Sequence, residues 1–126
     1  MQPTLIRRAL LADALLSGAG GIVMIVGGAA LAPLLNLPAE LLVGAGVFFI
    51  PWTLALLWIA RGNPISRAGA QAVIALNVAW VIASTALLFV LTPSPFGYAF
   101  VIAQAIAVGV LAALQYIALT RAPAPA

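Results

Sequence analysis

The chain has 126 residues, of which 66% are hydrophobic and only 6% charged, against ~25% charged in an ordinary soluble domain. Too little polar surface exists to cover a globule of that make-up, so a mean hydropathy of +1.26 points to the bilayer as solvent. The net charge of +3 comes from five scattered arginines, which form no basic patch and exclude a nucleic-acid partner.

The expected fold is an all-α integral membrane protein, a single domain of four antiparallel transmembrane helices with both termini cytoplasmic. The first apolar stretch covers about 9–31 and is interrupted only by Asp13 and Ser17. The second covers about 40–60, the third about 68–91 and the fourth about 97–120. Each is near the ~20 residues that cross a ~30 Å hydrocarbon core, and none shows the period-2 alternation of a barrel strand. Between them lie helix-stopping turns: Pro33, Asn36 and Pro38, then Arg61-Gly62-Asn63-Pro64, then Pro93-Ser94-Pro95. The tail from Arg121 through the alternating Ala and Pro of 122–126 reads as a short disordered or extended segment in the cytoplasm.

Orientation follows from arginine. Arg7, Arg8, Arg61, Arg67 and Arg121 fall on one side if both termini are cytoplasmic, and the other two connections carry no basic residue. Glu40 then lies on the outer side, in the first turn of the second helix, where it complements the helix dipole. The segment from Arg7-Arg8 to Ala30-Leu31-Ala32 has the three parts of a cleavable leader. Its apolar run, however, exceeds the usual ~7–15 residues and contains Asp13, so it reads as a retained span. Arginine without lysine in an alanine-rich chain suggests a GC-rich genome, and hence the inner membrane of a bacterium.

A shift of 60 residues aligns Arg7 with Arg67, Leu31 with Leu91, Pro33 with Pro93, Arg61 with Arg121 and Ser17 with Asn77. Identity at that shift is about one residue in six. Two similarly oriented hairpins would give this pattern by duplication, and any four-span chain with arginines and prolines at its turns would give it without.

Polar groups in the spans are the informative residues. Asp13, Ser17, Gly20, Gly21, Met24, Gly27 and Gly28 form one stripe on the first helix, with the glycines suited to close helix packing. Gln104 and Gln115 share a face of the fourth helix, and Asn77 and Ser84 a face of the third. Judged by depth, Asp13, Ser17, Gln71, Asn77 and Gln115 compose a candidate intramembrane polar cluster, roofed by Trp80 or Tyr116. Asp13 is either a proton or cation site or a carboxylate paired with Arg7, Arg8, Arg67 or Arg121. Pro51, mid-span in the second helix, predicts a kink, with Trp52 or Thr53 helping to satisfy the interrupted backbone. The indoles of Trp52 and Trp80 lie deep enough to require partners.

Cys, His and Lys are all absent, and Asp13 and Glu40 are the only acids. Thiol, imidazole, Schiff-base and metal-centred chemistry lack their residues, and the two acids lie at opposite faces, so no enzyme and no cofactor is expected. The leading expectation is a small non-catalytic membrane protein, an accessory or assembly subunit or a homo-oligomeric scaffold, with the lipid bilayer and other membrane subunits or further copies as partners. The alternative is a small-solute or ion transporter acting as an oligomer, with Asp13 as coupling site. In outline — length, four spans and an acid in the first — the chain resembles the small multidrug resistance exporters. Their intramembrane acid is a glutamate, and their Gly- and Tyr-rich segment has no counterpart here.

Overall fold

A computed structural model describes residues 1–122; the expected extended tail otherwise lies outside the described residues. Four α-helices account for the fold: α1 Pro3–Leu35, α2 Ala39–Ala60, α3 Arg67–Val90 and α4 Pro95–Thr120. All four are long and apolar enough to cross a membrane, and the chain is a multi-pass membrane protein.

Helices α2, α3 and α4 match their apolar stretches to within two residues, whereas α1 overruns its own at both ends, which are set by local geometry rather than by hydropathy. Pro3 begins α1, where its missing N–H would have had no helical partner. Asn36, at φ 52°, closes α1 in the left-handed conformation, so the helix continues through Pro33. At 33 residues and ~1.5 Å rise, α1 is about 50 Å long and exceeds the hydrocarbon core. Ser66 and Ser94 cap α3 and α4, their hydroxyls accepting from Gly69 N at 3.0 Å and Gly97 N at 3.1 Å. Helix α2 runs unbroken through the exposed Pro51. The Thr53 hydroxyl donates to Phe49 O at 2.7 Å, the carbonyl one turn behind it, and not to Val47 O, the carbonyl that Pro51 deprives of a donor.

Helix α1 is the spine. It packs along α2 and against α4, α4 packs along α3, and α2 and α3 scarcely meet. The α1–α2 contact depends on glycine: a Cβ on Gly46 would stand 2.7 Å from Gly21 O, and one on Gly28 would stand 2.8 Å from Val43 Cγ2. The expected small-residue stripe therefore divides. Gly21 and Gly28 receive α2, whereas Gly20 faces open space and Gly27 meets only Leu31 of its own helix.

Both ends are tied by polar contacts. At one end, Arg7 donates to Ala60 O and, at 3.0 Å, to Gly62 O, while Arg67 donates to Leu119 O at 3.2 Å. These arginines occupy the carbonyls left over at the C-termini of α2 and α4. The Arg61 guanidinium lies 3.6 Å above the Trp58 ring, and Gln2 N–H reaches Ala118 O at 2.6 Å, bringing the two ends of the chain together. At the other end, the Ser94 hydroxyl donates to Leu34 O at 2.7 Å and Asn36 Nδ2 to Thr92 O at 2.6 Å.

Candidate intramembrane polar site

Three helices contribute to one buried network. Asp13 on α1 is 1% exposed and Gln115 on α4 0%, with Asn77 on α3 4%. The three side chains meet at one level, as their mutual hydrogen bonds show. Asp13 Oδ2 accepts from Asn77 Nδ2 at 2.7 Å and from Gln115 Nε2 at 2.8 Å. Asn77 Nδ2 also donates to Gln115 Oε1 at 3.0 Å, and the Ser17 hydroxyl, one turn along α1, donates to Asp13 Oδ1 at 3.1 Å. Every hydrogen bond to the Asp13 side chain is accepted, the pattern an ionised carboxylate can satisfy on both oxygens.

Four of the five residues expected in the cluster thus meet: Asp13, Ser17, Asn77 and Gln115. Gln71 does not. It is exposed on the outer face of α3, because six residues separate it from Asn77 and six residues turn a helix by about 600°, which leaves the two a third of a turn apart. Tyr116 is 58% exposed and roofs nothing; Trp80 does border the site. Nor is Asp13 paired with arginine. Arg7 and Arg67 hold helix-end carbonyls, and the carboxylate's partners are two amides and a hydroxyl. The carboxylate already has its donors in two amides and a hydroxyl, and the arginines serve the helix-end carbonyls nearer to them.

Above the network lies a cavity of about 410 Å³ bounded by all four helices. Asp13 and Ser17 form its polar end; Met24, Leu42, Leu87 and Val101 line its apolar length, and Leu37, Leu41 and Phe100 its far end. Such a volume falls in the ~300–1,000 Å³ range of small-molecule sites, with few polar groups in an apolar wall. A second, smaller cavity of about 250 Å³ occupies the gap between α2 and α3, and the two share Ser17, Phe49, Trp80 and Val108. Aromatic rings fill this seam. Phe48 stacks on Trp80 at 5.9 Å and 5°, and on Trp52 at 6.2 Å and 17°. The Trp80 indole N–H donates to Gln104 Oε1 at 2.9 Å, the partner that its depth requires. Among the described residues, every buried side-chain nitrogen and oxygen has a hydrogen-bond partner.

The cavity, the aromatic seam and the role of Gln104 as an indole acceptor are not visible along the sequence, because each depends on which helices face one another. The one available signal for Gln104 was its shared face with Gln115. Comparison with protein-family models, with curated proteins and with solved structures finds no match, so only the geometry bears on what this site does.

Proposed function

We propose that this chain is a non-catalytic protein of a bacterial inner membrane, with both termini in the cytoplasm, that binds a small amphipathic molecule inside its helix bundle. This reading keeps, from the alternative of an oligomeric small-solute or ion transporter, a small-solute site at Asp13, and it sets the leading expectation of an accessory subunit or scaffold second. The observation that carries it is the apolar cavity of about 410 Å³ whose one charged lining group is Asp13. A scaffold would gain from filling that space, since an unfilled cavity forfeits packing at every wall. The gathering of Arg7, Arg61 and Arg67 around the joined chain ends supports the cytoplasmic placement.

The test is direct binding. With Trp52 and Trp58 replaced by Phe, Trp80 remains as the only indole and borders both cavities. A ligand entering the bundle changes Trp80 emission saturably, at probe concentrations too low to alter free indole in the same membrane. A strictly linear response across small amphiphiles of every charge would remove this reading.

The accessory-subunit or homo-oligomeric scaffold reading has one observation in its favour: the Asp13 network is complete without a ligand. Mass measurement after gentle extraction separates the two. A bound small molecule supports the first, and stoichiometric foreign subunits with an unliganded bundle support the second.

A further inference from the structure

We propose that the ligand is a single-chain, lipid-like amphiphile whose head donates a hydrogen bond to Asp13, and that it is admitted from the bilayer between α2 and α3. This inference rests on the small-molecule reading above and specifies the ligand's class and route.

Size and shape come first. An apolar cavity of ~150 Å³ holds one benzene, so about 410 Å³ is room for about sixteen carbons. The wall extends along α1 from Asp13 to Met24, a rise of about 16 Å, and continues to Leu37 at the far end. Carbon chains in contact at ~4–4.5 Å occupy about 20 Å² each, so two side by side would need about 640 Å³ over that rise alone, more than the cavity of about 410 Å³ holds. One chain fits; two do not.

Polarity fixes the head. A carboxylate offers about four acceptor positions. Asn77 and Gln115 use both on Oδ2 and Ser17 uses one on Oδ1, so Oδ1 retains capacity for one more donor without loss of the network. Gln104 adds no second anchor, because its carbonyl serves Trp80 and its amide serves Val101 O at 3.0 Å. An amine or hydroxyl head suits Asp13, and an amine adds charge attraction; a carboxylate head is repelled. The polar end is also the arginine end, so the head faces the nearer interface and the tail points toward the bilayer centre, as a lipid of that leaflet lies.

The route follows from the sparse α2–α3 contact. Glycine packing joins α1 to α2 and the Asp13 network joins α1, α3 and α4, whereas α2 and α3 meet closely only at the arginine end, where Ile59 lies against Gly69, and through aromatic side chains along the rest of the seam. Phe48, 47% exposed on the outside, stacks on Trp80, which stands where the two cavities meet. Rotation of those rings joins the cavities without breaking a backbone hydrogen bond, and ring rotation is far faster than helix separation.

The test uses the full chain in lipid nanodiscs and probes of about sixteen carbons, sized as above, each with a photoreactive diazirine mid-chain and an amine, alcohol or carboxylate head. Amine and alcohol probes are expected to label Met24, Leu87 and Val101, with the carboxylate probe about tenfold weaker, the worth of one charge-assisted hydrogen bond. Gly20→Leu should abolish this labelling: a Cβ there meets nothing within 4 Å, so the side chain fills the cavity without a clash. Gly44→Leu, equally unobstructed but on the exposed face of α2, should leave it unchanged. Ala83→Trp, in the seam, should slow labelling without changing its final extent. Equal labelling by the carboxylate probe, or by a diacyl phospholipid with the same diazirine, overturns the ligand class while the small-molecule reading stands. Labelling confined to exposed Val26 and Phe89, whatever the head and unaffected by Gly20→Leu, overturns both.

Discussion

A carboxylate held by three uncharged donors depends on all of them, and on nothing that salt can screen. Replacing Asn77 by Leu leaves Asp13 Oδ2 with one donor and deprives Gln115 Oε1 of its own, so Asn77→Leu should cost about 1–3 kcal/mol of stability. Gln71→Leu, on the exposed face of the same helix, should stay within about 0.5 kcal/mol. Reversible unfolding in mixed micelles of SDS and a mild detergent checks both, and equal losses would mean that the network does not hold the bundle. Asp13→Asn is the sharper case. It preserves shape, and with its amide nitrogen turned to Ser17, whose hydroxyl can rotate to accept, it keeps the bonds from Asn77 and Gln115 and gives up only their charge assistance. The loss should therefore be smaller than that of Asn77→Leu, and it should be insensitive to ionic strength, whereas a surface carboxylate–arginine pair would weaken with salt. This scale also shows how much of the site was legible in the sequence. Depth was readable from residue counts only coarsely: they placed Asp13 and Gln115 in the inner third together with Gln71, and Asn77 with Ser17 nearer the centre, whereas the structure joins Asn77 to Asp13 and Gln115 and leaves Gln71 out. Azimuth was only partly readable: the turn between Gln71 and Asn77 already separates them, but which face of α3 meets α1 is decided by packing.

At the scale of the helix, glycine and serine do what hydropathy does not report. Gly46 meets the backbone of α1, so Gly46→Val should push α1 and α2 apart and lower stability by about 1–3 kcal/mol or more. Gly44→Val, two residues away with open space around its Cβ, should be close to neutral. The same unfolding assay distinguishes them. Ser94→Ala removes both the cap on Gly97 N and the bond to Leu34 O, and should cost more than Ser66→Ala, which removes a cap alone at ~1 kcal/mol. Exchange of the Gly97 amide with deuterium should rise accordingly. The four spans were legible because bilayer thickness imposes a length on apolar runs. The ends of α2, α3 and α4 also fall within two residues of those runs, but those of α1 do not, because Pro3 and the left-handed Asn36 set them beyond the apolar run, where hydropathy has already fallen away.

At the scale of the molecule, the shift of 60 residues has a structural echo. Arg7 on α1 holds the end of α2, and Arg67 on α3 holds the end of α4. The hairpins are alike in that respect, yet they are not joined alike. Glycines and the Asp13 network draw α1 to its neighbours, whereas Phe48, Trp52 and Trp80 keep α2 and α3 apart. Orientation in the membrane is the remaining property of the whole, and the chain is well suited to measuring it because it contains no cysteine. Asn63→Cys lies in the connection between α2 and α3, at the arginine end, and Glu40→Cys at the opposite end; both positions are exposed. If arginines are retained inside, a membrane-impermeant maleimide added to intact cells should modify the cysteine at position 40 and reach that at position 63 only after lysis. The reverse pattern would export five arginines and would place the polar end of the cavity in the outer leaflet. Replacing Arg7, Arg8, Arg61 and Arg67 together by Gln while adding two lysines at Asn36 and Pro93 should then invert the labelling. Orientation is set by where basic residues lie, and the helices themselves are apolar enough to insert either way. Labelling that stays fixed after the exchange would show that contacts within the bundle, chiefly the arginine-held helix ends, decide topology in place of charge.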